Sequence, residues 1–311
     1  MAMRNGLTPK KRTRMGKSWH VFKYPLLFLT PWIIGLLVFS IYPIIRSLYL
    51  SLTNFNLFEA PVFIGIENYK TLLSDPRFLK SFTVTINYVL FGVPLQLMFA
   101  LLLALVLNKR IPGLKVFRAI YYLPALLGGS VAIAVLWRQI FGIEGIFNQA
   151  LSMLGVPDSI TSISWITNPK YSLSSLILLR IWQFGSPMII FLAGLKQIPQ
   201  ELYESASIDG ANSFRKFLSI TLPMLSPIII FNLIMQIISA FQAFTPAYIV
   251  GGAGGGTLDS TLFYTLYLYT LGFTYYKMGL ASAMAWILMI AIAVLTIIVL
   301  KSTSKITYYN E

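Results

Sequence analysis

Two groups of polar residues stand out in an overwhelmingly apolar chain, and neither has the makeup of a catalytic site. The first lies inside apolar segments. Arg180, Trp182, Gln183 and Ser186 cluster around Pro187; further along come Asn232, Gln236, Ser239 and Gln242. Asn232, Gln236 and Ser239 fall at i, i+4 and i+7, so a helix puts them on one face, with Gln242 slightly aside. Amides pair with hydroxyl groups and flat rings cover apolar C–H faces, so such a set suits a polyhydroxylated solute. The same residues also suit hydrogen bonds between helices. Asn87, Gln96 and Asn232 are read in that second way; Gln183 and Gln236 fit both equally. Arg180, deep in an apolar run, suits an acidic solute or a neighbouring helix.

The second group is residues 200–227, the longest polar interruption between strongly apolar segments in the second half of the chain. Pro199 fits a first helical turn, where its missing N–H is not needed. Glu201 and Glu204 follow where the helix dipole favours negative charge. Leu202, Ala206 and Asp209 continue the helical spacing, and Gly210 ends it in the left-handed conformation. Asn212 or Ser213 then caps a second short helix carrying Phe214 and Phe217. Pro223 and Pro227 mark the return to apolar sequence. The expectation is a helix–turn–helix at a membrane surface.

Other chemistry is not supported. Serines and threonines are plentiful, but no base is placed to activate them. Cysteine is absent and the one histidine, His20, lies in a basic tail, so thiol catalysis, thiolate metal sites and disulfides are excluded. The glycine run at 251–256 lacks the Gly-Lys-Ser/Thr ending of a phosphate loop; it reads as a flexible connector, or as a contact for a solute-binding protein. With no nucleotide site, uphill transport would need energy from another subunit or an ion gradient. Ion-coupled carriers keep acids or bases within their spans. Here every Asp and Glu falls in a loop, a tail or a span edge.

These groups must be held by membrane helices. Of 311 residues, 57% are hydrophobic and 11% charged, and the mean hydropathy is positive, which excludes a soluble domain. The net charge of +14 raises nucleic acid, but the bases lie beside and between apolar runs, as they do when they set membrane orientation. After a basic tail (1–23), a first span is expected at 24–50, bent by Pro25, Pro31 and Pro43 and followed by an outer loop (51–80). A permease core (81–300) carries spans at 81–107, 116–137, 172–195, 220–244 and 278–300, each near the roughly 20 residues a bilayer needs. A short surface helix is expected at 146–154 and a cytoplasmic tail at 301–311. Bases crowd the tail, Lys109, Arg110, Lys115, Arg118, Lys196, Arg215, Lys216, Lys301 and Lys305. On the other side Lys70, Arg77, Lys80, Arg138, Lys170 and Lys277 are offset by Glu59, Glu67, Asp75, Glu144, Asp158 and Asp259. Both termini, and the polar loop at 198–219, are therefore expected in the cytoplasm.

The loop carries a resemblance. Glu204-Ser205-Ala206, then Gly210, then Ile220-Thr221-Leu222-Pro223 is similar to the EAA loop of ABC importer permeases. Asp209-Gly210-Ala211 and the Ile-x-Leu-Pro ending resemble the maltose-type sugar permeases (carbohydrate uptake transporter family 1). So do Gly65-Ile66-Glu67-Asn68-Tyr69 and Asp75-Pro76-Arg77-Phe78. Ser205 departs from the usual alanine, but both are small. The resemblance implies an all-α polytopic protein with six transmembrane helices and a cytoplasmic coupling loop. It implies a permease for sugars, oligosaccharides in particular, that pairs with a second related permease, two cytoplasmic ATPases and an extracellular solute-binding protein. ATP and magnesium would belong to the ATPase; this chain would bind no cofactor and no nucleic acid. Glu204, Ser205, Ala206, Asp209, Gly210, Ala211, Phe214, Leu222 and Pro223 would form the coupling element. In maltose-type permeases sugar contacts come mainly from the helices flanking this loop, which places Gln183 and Gln236, with Trp182 beside them, on such positions. Alternatives are an ABC permease for another solute, an ion-coupled carrier, or a membrane scaffold.

Overall fold

The computed structural model describes residues 27–109 and 113–303. The expected basic tail, the start of the first span at 24–26, Arg110, Lys305 and the chain beyond 303 lie outside the described residues. The chain divides into two units, Met1–Leu50 and Ser51–Glu311.

The described part of the first unit belongs to one helix, α1 (Leu27–Ser51). A wide π-helical turn occupies Leu37–Ile41 and closes with the Tyr42 N–H on the Leu37 carbonyl. Pro43 follows directly. Proline cannot donate to the helical ladder and crowds the carbonyl four residues before it, so the ladder widens just ahead of it. Arg46 lies over the Tyr49 ring, 5.2 Å from its centroid.

The second unit opens with a hairpin of β1 (Thr53–Asn54) and β2 (Val62–Phe63), paired antiparallel. In α2 (Glu67–Leu73) the buried Asn68 donates to the carbonyls of Ser51 and Thr53, 2.8 Å each. Asp75 then caps α3 (Pro76–Leu107) by accepting the Arg77 N–H. This long helix is the axis of the unit: four of the later helices, including those of the fourth and fifth expected spans, pack against it.

The third expected span is not a straight helix. It is α4 (Leu114–Leu127) and α5 (Val131–Ile140), meeting at 96° across Gly128, Gly129 and Ser130. Gly-Gly weakens helix continuation, and the Ser130 hydroxyl starts a new helix by accepting the Ile133 N–H. The short helix expected at 146–154 is α6 (Ile146–Met153), and a single turn, α7 (Asp158–Thr161), follows. The fourth span is also divided, into α8 (Ser172–Trp182) and α9 (Gly185–Leu195), bent by 41°. Beyond α10 (Gln200–Ile208) and α11 (Ser213–Lys216), a second wide turn at Phe217–Thr221 precedes α12 (Leu222–Phe241), again just ahead of a proline, Pro223. The chain ends its described part in α15 (Met278–Thr303). Among the described residues, four helices are long and apolar enough to cross a bilayer. The six expected crossings are reached by taking each bent pair as one broken span.

The glycine run at 251–256, expected to be a flexible connector, lies in a segment, 245–277, that is packed. The segment holds α13 (Thr245–Val250) and α14 (Tyr264–Tyr269), and Leu262, Phe263, Tyr264 and Leu266 are fully buried. Its glycines permit close approach. A Cβ on Gly255 would come 2.6 Å from Leu262 Cδ1, and one on Gly251 2.8 Å from Thr261 Cβ. Polar ties fix the segment to the start of α3. Arg77 pairs with Asp259 at 2.7 Å and donates to the Gly254 carbonyl at 3.1 Å. The Tyr267 hydroxyl donates to Asp75. Burial, and then this bond to Asp75, holds the Tyr267 phenol above its usual range.

Helix α9 lies close on α12 because Gly194 has no side chain: a Cβ there would sit 2.9 Å from Leu225 Cδ2 and closer still to Ile228. Gly194→Val should cost about 1–3 kcal/mol through overpacking, seen as a lower Tm of the detergent-purified protein. Gly129→Ala, whose added Cβ meets nothing within 4 Å, should leave Tm unchanged.

Candidate functional site

The two helix breaks face each other. A break in an apolar segment frees backbone polar groups that lipid cannot satisfy, so such breaks persist only where protein or water supplies partners. Here the partners are glutamines. Gln183, at the α8 end of one break, donates from Nε2 to the carbonyl of Gly128 in the other, at 2.9 Å. Its own carbonyl accepts Gln96 Nε2 from α3 at 3.0 Å. Only glycine fits at 128, since a Cβ there would lie 2.6 Å from Gln183 Cδ.

One turn before Gln183, the buried Arg180 reaches across to α12. Its Nη2 donates to the Gln236 carbonyl at 2.7 Å and to Gln236 Oε1 at 3.1 Å. Its guanidinium lies over the Tyr88 ring, 5.5 Å from the centroid. Gly92 leaves room for it: a Cβ there would be 3.0 Å from Arg180 Cδ. Arg180 thus pairs with a neighbouring helix, the second of the two roles its sequence allowed. Gln183 and Gln236 are both engaged in interhelical bonds. Trp182 is half-buried, 6.1 Å from Trp137. Ser239 and Gln242 are exposed, while Asn232 on the same helix is fully buried with neither amide atom partnered.

Of the three amides assigned to interhelical bonding, Gln96 makes such a bond, but Asn87 and Asn232 have no partner among the described residues. Sequence reading missed the break at Gly128–Ser130. The signal was there, in a Gly-Gly-Ser triplet inside an apolar run.

The polar loop forms the expected helix–turn–helix. Pro199 stands one residue ahead of α10 as its cap rather than inside the first turn. Gly210 takes φ +74°. The Ala211 N–H bonds the Ala206 carbonyl at 2.9 Å and the Gly210 N–H that of Ser207 at 3.2 Å, the paired bonds by which a left-handed glycine closes a helix. Asn212, not Ser213, caps α11, accepting the Arg215 N–H at 2.8 Å. Tyr203 ties the loop to the span through Thr221 Oγ1 at 2.8 Å, and Lys216 Nζ donates to Ser207 Oγ at 2.7 Å; sequence reading named Thr221 within the motif and Lys216 as a base, but neither Tyr203 nor Ser207. Glu204, Ser205, Asp209 and Gly210 are exposed, Ala206, Ala211, Leu222 and Pro223 partly so. No residue of α10 is buried. Leu202, Ile208 and Phe214 are 41%, 88% and 70% exposed.

A bilayer-scale helical unit with an exposed, capped hairpin between two spans matches a known family model. Residues 62–304 match the binding-protein-dependent transport system inner membrane component. The chain belongs to this family. It is a multi-pass inner-membrane permease subunit of a binding-protein-dependent ABC importer, non-catalytic and, as in the family, without a cofactor. The permease is 47% identical over 308 residues to the probable ABC transporter permease protein YesP of Bacillus subtilis, covering 99% of this chain and 98% of that protein. It is 34% identical over 308 residues to the trehalose/maltose transport system permease protein MalF of Thermococcus litoralis, covering 96% and 98%. Its fold is that of a chain in a bacterial ABC transporter involved in import of the acidic polysaccharide alginate. The TM-score is 0.79 at 24% identity, covering 95% of this permease and all of that chain.

The Arg180–Gln236 tie can be measured by a double-mutant cycle. Arg180→Met and Gln236→Leu should each lower Tm of the assembled permease. The double variant should be less destabilised than the sum by on the order of 1 kcal/mol; strict additivity would show the pair to be uncoupled.

Proposed function

We propose that the permease imports sugars, oligosaccharides in particular, as one half of a translocation path whose other half is a second, related permease. Two cytoplasmic ATPases binding ATP and magnesium would drive it, and an extracellular solute-binding protein would deliver the solute. Both termini and the loop between α9 and α12 face the cytoplasm in this reading, as the distribution of bases favours. Support for a sugar comes from the trehalose/maltose relative, similar over nearly its whole length. Trp182, Gln183, Gln236, Ser239 and Gln242, together with the broken helices, offer amide, hydroxyl and ring surfaces near the path. Arg180 serves this path by holding Gln236 rather than by meeting the solute.

One observation carries the coupling role. On a short polar hairpin the apolar side chains of Ile208 and Phe214 stand out from the protein, and Leu202 is only partly covered. Apolar side chains grouped on an exposed hairpin mark a docking surface. Glu204, Ser205, Ala206, Asp209, Gly210 and Ala211 form the rigid turn that presents them. The wide turn before Leu222 and Pro223 joins that turn to α12. Closure of the ATPases on ATP would move the hairpin, and with it α12 and α9, turning the path from inward- to outward-facing.

Gly210 offers the test. A side chain there meets nothing within 4 Å, so Gly210→Leu strains the turn, by about 1–2 kcal/mol, without a clash. ATPase should still co-purify, while solute uptake in vesicles falls at least tenfold against ATP hydrolysed. Uptake unchanged by this substitution would remove the coupling role. Mass spectrometry of the ligand retained by the co-purified binding protein tests the solute class, with an oligosaccharide expected.

A further inference from the structure

A recess of about 620 Å³ opens between α3 and α8 on the flank of the second unit. Its mouth lies at the ends of these helices where α3 begins. Lys80, in the first turns of α3, and Lys170, just ahead of α8, line it there. No Asp or Glu lines the recess. Two acids close in sequence to its lining are engaged elsewhere: Asp259 by Arg77, and Asp75 by Tyr267. Neither lysine forms an ion pair among the described residues; Lys170 only lies over Tyr171, 5.6 Å from its centroid.

A second feature adds positive potential. Helix α8 has eleven residues, and no acceptor is found among the described residues for the N–H groups of Leu173 and Ser174, both of which line the recess. Free N–H groups at a helix start favour an anion. One level deeper is Asn87, half-buried and without a hydrogen-bond partner. Deeper again the lining turns apolar, with Phe91 and Leu95 from α3 and Ile177 from α8. From Lys80 to Leu95 the wall descends roughly 22 Å along the helix, at 1.5 Å per residue.

Charged, then polar, then apolar, read from surface to depth, is the profile of a phospholipid. We propose that this recess binds one anionic phospholipid, with its phosphate between Lys80, Lys170 and the amides of Leu173 and Ser174. Asn87 faces its ester region, and Phe91, Leu95 and Ile177 receive an acyl chain. In the orientation proposed above, this is an outer-leaflet lipid. The apolar floor of Phe91, Leu95 and Ile177 selects a lipid over an acidic sugar, which would meet no hydrogen-bonding side chain there.

The test uses the assembled transporter in detergent, so it does not depend on the sugar reading or on transport. Native mass spectrometry after incubation with phosphatidylglycerol, against phosphatidylcholine, counts retained lipid, and the Tm shift is read in parallel. Phosphatidylglycerol should be retained and raise Tm; phosphatidylcholine should do neither. A basic residue near an anionic surface is worth about a fivefold change in binding, so K80Q/K170Q should weaken retention by roughly twenty-five-fold. K80R/K170R should retain it, as should Lys277→Gln, which removes a charge outside the recess. Retention by K80Q/K170Q equal to wild type would overturn the proposal. Displacement of the bound lipid by an acidic oligosaccharide, with the same loss in K80Q/K170Q, would reassign the recess to solute.

Discussion

A bilayer offers no water to a broken helix, and much of this permease is arranged around that fact. Two of its spans break in mid-run, and each break exposes backbone groups that would cost several kcal/mol unpaired in lipid. The cost is met by one side chain bridging to the other break and one reaching from the axial helix: Gln183 holds the Gly128 carbonyl, and Gln96 holds that of Gln183. These bonds join α3, α4 and α8 at a common level. Arg180 extends the same set to α12 through Gln236. Side-chain amides are well suited to the task because each carries both donor and acceptor and no charge to be desolvated.

Much of this was open to reading from the sequence. The apolar runs, their flanking bases and the loop at 198–219 require little tertiary information: Gly210, Asn212 and Pro223 act through their own backbone preferences, and each acts in the structure as those preferences dictate. What escaped depends on long-range packing. Composition averaged over 116–137 looks like one span, because the residues on either side of Gly128–Ser130 are equally apolar; the right-angled break shows only in three dimensions. Arg180 had two chemically equal destinies, and only the position of Gln236 opposite chose between them. Asn87 and Asn232 show the limit from the other side, since an amide on an apolar face need not find a partner helix.

The segment after α12 teaches a related lesson about glycine. A run of glycines signals freedom when nothing surrounds it and contact when something does. In this permease Gly251 and Gly255 lie against Thr261 and Leu262, and the aromatic residues just beyond, Phe263 and Tyr264, are fully buried. The Tyr264 hydroxyl donates to the Met284 carbonyl of α15, and its backbone N–H donates to Thr85 Oγ1 of α3. With Arg77 bound to Asp259, the segment is tied to the core by polar contacts as well as by burial.

The wide turn at Phe217–Thr221 has a geometric consequence. An α-helix advances about 100° per residue, and a π turn holds one residue more than a regular one. Relative to an unbroken helix through the same sequence, Ser213–Lys216 is therefore rotated by about that angle around the axis of α12. Phe214 rides on this rotation. The proline two places beyond the turn thus fixes the compass bearing of the hairpin, and a residue gained or lost there would swing its apolar tip to another side of the molecule.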